Sequence, residues 1–231
     1  MSGDDADGFL NGRLSLRQGR GHRAGHDAVL LAATVSPAQS GLVLDIGAGA
    51  GAVGLMAAVH APQATVGLVE IDPESCALAR ENVASNGFAE RVSVHEADVV
   101  DARSRRAAGL VDGAAALVLT NPPFHAPGRV RVTPDARRAR AHVAAVPLAE
   151  WVRGALALLA PGGAFVMIHR ADALAECLAA VAGRLGGVSI EPLHARPDAP
   201  AIRILLRGVK GSKAPLSLAP SRLIGDPART P

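Results

Sequence analysis

The chain has 231 residues, of which 49% are apolar, 19% charged and 2% aromatic, with 25 glycines and no tyrosine. Its mean hydropathy of +0.23 excludes an intrinsically disordered chain, and its length favours a single domain. No apolar run reaches the roughly 18–20 residues that cross a bilayer, and lysine plus arginine exceed aspartate plus glutamate by only 24 − 21 = 3.

A charge of that size decides nothing about nucleic acid. Its distribution says more, because basic residues cluster at 13–23, 129–140 and 203–213. The first nine residues are acidic and glycine-rich, the opposite of a secretory signal. Cys76 and Cys177 lie far apart, each in an apolar helical pattern, and read as buried thiols of a reducing compartment. The cytoplasm is the expected location.

Residues 1–25 read as a surface segment rich in glycine and arginine. The run from Asp27 to Val35 predicts a short helix, stopped by Ser36-Pro37. Leu42–Ile46 is a short apolar run that fits a buried parallel strand. Val53–Val59 follows as a helix and Thr65–Ile71 as a second strand. Asp72-Pro73-Glu74 has the chemistry of a helix start, and Asn86-Gly87 that of its stop. Arg91–His95 and Ala115–Thr120 are the third and fourth strands. Leu148, Trp151, Val152, Ala155, Leu156 and Leu159 recur at helical spacing as one apolar stripe.

Pro161-Gly162-Gly163 turns the chain into strand Ala164–His169. Leu174, Cys177, Leu178, Val181 and Leu185 mark a further helix, and Val188–Leu193 with Ala201–Val209 a closing pair of strands. Such alternation predicts an α/β fold with a doubly wound sheet and ligands at the strands' carboxyl ends. The expected organisation is an N-terminal cap over residues 1–40, a core domain over 41–210, and a poorly ordered tail over 211–231.

The first strand runs into Asp45-Ile46-Gly47-Ala48-Gly49-Ala50-Gly51. Gly47, Gly49 and Gly51 permit a tight turn and let a ligand approach the bare backbone. Glu70, followed by Ile71 and Asp72, ends the second strand, where a carboxylate binds both hydroxyls of a ribose. Asp98 follows the third strand and suits an adenine amino group. A nicotinamide cofactor competes, since Gly47-x-Gly49-x-x-Ala52 also fits the dinucleotide fingerprint. Asp45 opposes it, because a carboxylate there would repel a pyrophosphate. It suits instead the ammonium group of a methionine moiety, directly or through water. Residues 42–51 and 69–72 resemble the S-adenosylmethionine site of class I methyltransferases. That resemblance implies a Rossmann-like, seven-stranded, mostly parallel sheet whose last strand is antiparallel.

The fourth strand ends in Asn121-Pro122-Pro123-Phe124. This resembles the Asn-Pro-Pro-aromatic motif of methyltransferases that modify exocyclic or amide nitrogens. The lone pair of such a nitrogen is delocalised, so it is a poor nucleophile. The Asn121 side-chain oxygen and the Pro122 carbonyl can both accept from the NH₂ group, which favours a tetrahedral nitrogen. Pro122 and Pro123 stiffen the turn, giving preorganisation without acid–base chemistry. Phe124 stacks on the planar substrate in this reading.

Together with Arg20–Ala32 and Ala164–Arg170, these motifs resemble the bacterial valine-tRNA adenine-N6-methyltransferase family over roughly residues 9–210. The resemblance implies S-adenosylmethionine as cofactor, an RNA partner (tRNA first) and a cap segment that brings Asp27 to the cofactor. Phe124-His125 departs from the usual tyrosine and is also similar to ribosomal RNA guanine-N2 methyltransferases. Glutamine methylation is the third acceptor reading and a small-molecule amine the fourth. The arginines between residues 124 and 147, Arg137 and Arg138 among them, are expected to hold phosphates, and His125 to touch the target base. Histidines 60, 95, 169 and 194 lack metal-ligand spacing, and no metal site is expected. A nicotinamide oxidoreductase and a catalytically silent RNA-binding module are the rivals from other classes. The oligomeric state is left open.

Overall fold

The computed structural model describes residues 7–10, 12–19, 25–123 and 146–225. The elements in chain order are β1 (Asp7–Phe9), β2 (Leu14–Leu16), α1 (His26–Ala32), β3 (Gly41–Ile46), α2 (Ala52–His60) and β4 (Ala64–Glu70). Then come α3 (Pro73–Ser85), β5 (Val92–Glu96), α4 (Ala102–Ala107), β6 (Ala115–Thr120), α5 (Leu148–Leu158) and β7 (Leu159–Arg170). A 3-10 turn at Ala171–Ala173 leads into α6 (Leu174–Val181), β8 (Leu185–His194), β9 (Ala201–Lys210), β10 (Ser217–Leu218) and β11 (Arg222–Leu223).

The long strands lie in the order β8-β9-β7-β6-β3-β4-β5. Strands β3 to β7 pair in parallel, and β9 runs antiparallel between β7 and β8. The expected sheet of seven gains β10 and β11, two residues each, on the outer edge of β8. From β3 the chain winds outward through β4 and β5, then crosses back to β6 on the other side. The sheet order therefore reverses between β3 and β6, and a crevice opens at their carboxyl ends.

Side chains alternate across each strand, so the buried runs serve two cores at once. Val43, Val66, Leu68, Leu117, Leu119, Val166 and Ile168 pack with α1 and α2 on one face. Leu44, Ile46, Val118, Phe165 and Met167 pack with α5 and α6 on the other. Asp45 shares the parity of Val43 and so faces α2. Thr120 shares that of Val118 and faces α5. Both cysteines are free and buried, and burial pushes each thiol up to about 12.

Several expectations change. Leu159 and Leu185, assigned by spacing to helices, instead begin β7 and β8. Residues before 25 are not all surface, because Leu14 and Leu16 are fully buried and β1 pairs with β2 as a hairpin. The Pro161-Gly162-Gly163 turn lies inside β7 as a bulge, where the register steps from Ala115↔Leu159 to Leu117↔Ala164. The stretch expected as a poorly ordered tail binds the sheet edge as far as Ile224. Ala219 N donates to Ile190 O and Ile224 N to His194 O, both at 2.8 Å. Arg222 also pairs with Glu191 at 3.1 Å. Open edge carbonyls of β8 supply the pairing, a tertiary opportunity that composition does not register.

Candidate functional site

The glycine loop sits between β3 and α2. Gly51 caps α2 with a left-handed φ of 90°, and a Cβ there would lie 2.8 Å from the Leu68 side chain. Gly47 has φ 76°, and its Cβ would lie 2.9 Å from the Trp151 ring. Neither position admits a side chain. At Gly49 a Cβ would meet nothing within 4 Å, so the loop faces open space at its centre.

Backbone donors hold the loop to the end of β4. Gly47 N and Ala48 N donate to Val69 O at 2.8 and 3.1 Å, and Gly49 N donates to Glu70 Oε2 at 2.8 Å. Glu70 Oε1 accepts from Ile71 N at 2.8 Å and Asp72 N at 3.0 Å. Three of the carboxylate's four acceptor positions are thereby used, which leaves one on Oε2. Asp72 caps α3 as expected, accepting from Ser75 N at 2.9 Å.

Asp45 is 2% exposed, and its Oδ2 accepts from Gly54 N at 2.8 Å. Burial, aided by the nearby Glu70 charge and opposed by the Gly54 hydrogen bond, pushes its carboxyl up to about 7. The carboxylate, expected from sequence to meet an ammonium group directly or through water, is turned to the Gly54 amide and ties β3 to α2. Asp98 stands after β5, its Oδ1 accepting from Val100 N at 3.0 Å and its amide donating to Ser104 Oγ at 2.9 Å. Asp27 lies on α1, where its Oδ2 accepts from Arg203 on β9 at 2.8 Å. That partner could not be read from sequence, since 176 residues separate the two.

The second motif begins one strand away. Ile46 is in register with Thr120, which places Gly47 and Asn121 side by side at the switch point. Asn121 Oδ1 is buried, and no hydrogen-bond donor reaches it among the described residues. A buried carbonyl oxygen left in that state is costly, by about 1–3 kcal/mol, unless a ligand satisfies it. Pro122 and Pro123 border a cavity of about 60 Å³ shared with Trp151, His169 and Glu176. Burial lowers the pKa of His169, against the opposing pull of Glu176. Phe124, His125, Arg137 and Arg138 lie outside the described residues.

Two groups escaped the sequence reading. Trp151, assigned there only to an apolar stripe, donates from Nε1 to Thr120 Oγ1 at 3.0 Å. Asn82 on α3 accepts from Arg17 N at 2.8 Å and donates to Arg17 O and Ala50 O, each at 2.9 Å. One turn on, Asn86 repeats the pairing with both backbone groups of Ser15. Two asparagines four residues apart, facing backbone two residues apart, thus bind the N-terminal hairpin to α3 beside the loop.

A mostly parallel sheet of this order, with a glycine loop and an acid at its switch point, defines a Rossmann-like methyltransferase fold. Residues 25–182 match the family model described as methyltransferase small domain. A tRNA1(Val) (adenine(37)-N6)-methyltransferase of Porphyromonas gingivalis is 34% identical over 193 residues, covering 79% of this chain and 72% of the relative. The enzyme of the same name from Erwinia tasmaniensis is 36% identical over 119 residues, covering 51% of this chain and 46% of the relative. The chain therefore spans under half of some relatives that it matches. A crystal structure of a predicted O-methyltransferase, protein Atu636 from Agrobacterium tumefaciens, superposes with a TM-score of 0.72 at 32% identity, over 86% of this chain and 88% of that one.

The chain belongs to the methyltransferase small domain family, in the branch of these tRNA1(Val) relatives. It is an S-adenosylmethionine-dependent methyltransferase.

Proposed function

We propose that the chain methylates the exocyclic N6 amino group of an adenine in tRNA. The observation that carries this reading is Asn121 Oδ1, a buried acceptor without a donor among the described residues, at the crevice end of β6. A planar amino group has two N–H donors and a delocalised lone pair. One N–H donates to Asn121 Oδ1 and the other to the Pro122 carbonyl, which draws the nitrogen toward tetrahedral geometry. When bound, S-adenosylmethionine supplies an electrophilic methyl carbon whose sulfur keeps the bonding pair as the new N–C bond forms. The surplus proton then leaves to water, so no side chain has to act as a base. The catalytic contribution is orientation by a stiff turn and a fixed dipole.

In this reading Gly47, Gly49 and Gly51 line the methyl donor, and Glu70 offers its remaining acceptor position to the ribose. Ile71 and Asp98 flank the adenine. Asp45 acts on the methionine end through the loop or a water molecule, and Asp27 contacts the ligand from the cap segment of residues 1–40. The open space at Gly49 and the held position of Glu70 support that fit. Phe124 stacks on the flipped target base, His125 adjoins it, and Arg137 and Arg138 take phosphates. Residues 41–210 form the catalytic unit, followed by the tail from 211. A tRNA substrate is consistent with a cytoplasmic enzyme, and no helix among the described residues is long and apolar enough to cross a membrane.

The test is methyl transfer from labelled cofactor to unmodified tRNA, followed by nucleoside analysis. N6-methyladenosine is the expected product. Label in N2-methylguanosine, in a ribose 2′-oxygen or in protein glutamine overturns the assignment.

A further inference from the structure

Trp151 joins the two halves of the site. Its indole N–H donates to Thr120 Oγ1 at 3.0 Å, and the same hydroxyl donates to Ile46 O at 3.0 Å. Thr120 is fully buried and Trp151 is 7% exposed, so no solvent competes for either bond. A buried indole N–H needs one partner, and a threonine hydroxyl offers one donor with acceptor capacity to spare. The relay therefore satisfies α5, β6 and β3 through a single hydroxyl.

Its position makes it more than packing. Ile46 immediately precedes Gly47, and Thr120 immediately precedes Asn121. The edge of the same indole fills the space that a Cβ on Gly47 would need. One rigid ring thus touches the first glycine of the methyl-donor loop and fixes the residue before the acceptor pair. A leucine or valine in the apolar stripe would fill the core without either function.

We propose that Trp151 is a positioning residue, which sets the distance between the methyl-donor loop and the Asn121–Pro122 acceptors through Thr120. This rests on the reading of Asn121 as the group that orients the acceptor amine. Methyl transfer is sensitive to such spacing, since displacement by an ångström costs up to a hundredfold in rate.

Trp151→Phe keeps an aromatic ring in the apolar stripe but removes both the donor and the Cζ2–Cη2 edge that meets Gly47. The expected result is a kcat lower by about tenfold, with tRNA KM and cofactor Kd within about twofold of wild type. Thr120→Val should reproduce the loss from the other side, and Thr120→Ser, which keeps the hydroxyl, should restore kcat. In the Asn121→Ala background, Trp151→Phe should cost nothing further, because the relay acts through Asn121. Multiplicative losses in the double variant, or an unaltered kcat in Trp151→Phe, overturn the proposal.

Because Trp151 is the only tryptophan, its fluorescence gives a readout independent of turnover. Adenosylmethionine should shift its emission, and an unchanged spectrum at calorimetric saturation counts against the proposal. The kinetic series is read on whichever acceptor the wild type methylates. Methylation of another planar nitrogen, in guanine N2 or a glutamine amide, therefore rejects the substrate reading without touching this one, whereas a ribose 2′-oxygen product rejects both.

Discussion

Glu70 Oε2 accepts the Gly49 amide at 2.8 Å, so the acid that ends β4 holds the glycine loop that ends β3. The same carboxylate serves Ile71 N and Asp72 N, and the loop, the strand end and the α3 cap share one anchor. Glu70→Ala leaves three amides without this acceptor and should lower stability by about 2 kcal/mol. Calorimetry with adenosylmethionine should show affinity down by more than about tenfold, with Glu70→Gln intermediate. Wild-type affinity in the alanine variant would remove Glu70 from the cofactor site.

Asp45 makes a prediction about pH. Its carboxyl has an ordinary value of 3.8 and is raised to about 7 in the folded chain. Between those values the folded state binds more protons than the unfolded state, so the Asp45 contribution to stability falls as pH rises through this window and levels above it. Asp45→Asn keeps an oxygen for Gly54 N and removes the charge. Relative to wild type, the variant should gain stability from pH 4 to pH 8, by on the order of 4 kcal/mol in the limit. A difference that stays constant with pH contradicts the buried, proton-binding carboxyl.

Asn82 tests the clamp on the N-terminal hairpin. It is fully buried and makes three hydrogen bonds, to Arg17 and Ala50. Asn82→Ala should destabilise the chain by about 2–4 kcal/mol and speed hydrogen exchange at Leu14–Arg17 ahead of the sheet. Loss of less than about 0.5 kcal/mol, the range of an ordinary surface substitution, would mean that the hairpin is held by other contacts.

Much of this architecture was legible because its signals are local. Asp72-Pro73 carries its own cap geometry, three glycines two residues apart require a special turn, and short continuous apolar runs specify a sheet packed on both faces. The closing strands β8 and β9 were equally plain. Asn82 looked like an ordinary helix polar residue and Asn86 like a helix stop alone, because their hairpin partners lie 65 and 71 residues away. Trp151 matched the stripe at helical spacing, and only the sheet order brings its N–H to Thr120. The β1–β2 hairpin and α4 were too short to give a periodic signal.

Asp27 separates two roles. Arg203 engages its Oδ2 at 2.8 Å, with both side chains partly buried. Such a pair is worth about 1 kcal/mol or less. Asp27→Asn should weaken cofactor binding several-fold, whereas Arg203→Gln should alter stability alone. Equal binding in both variants would leave Asp27 as an anchor of α1 on β9 and nothing more.

The most direct measurement is single-turnover methyl transfer by Asn121→Ala under saturating cofactor and tRNA. Removing the buried acceptor should slow the chemical step at least about a hundredfold while the cofactor Kd stays at its wild-type value. A variant that methylates adenine at the wild-type rate would show that the amine is oriented elsewhere, and the account of the site would fail.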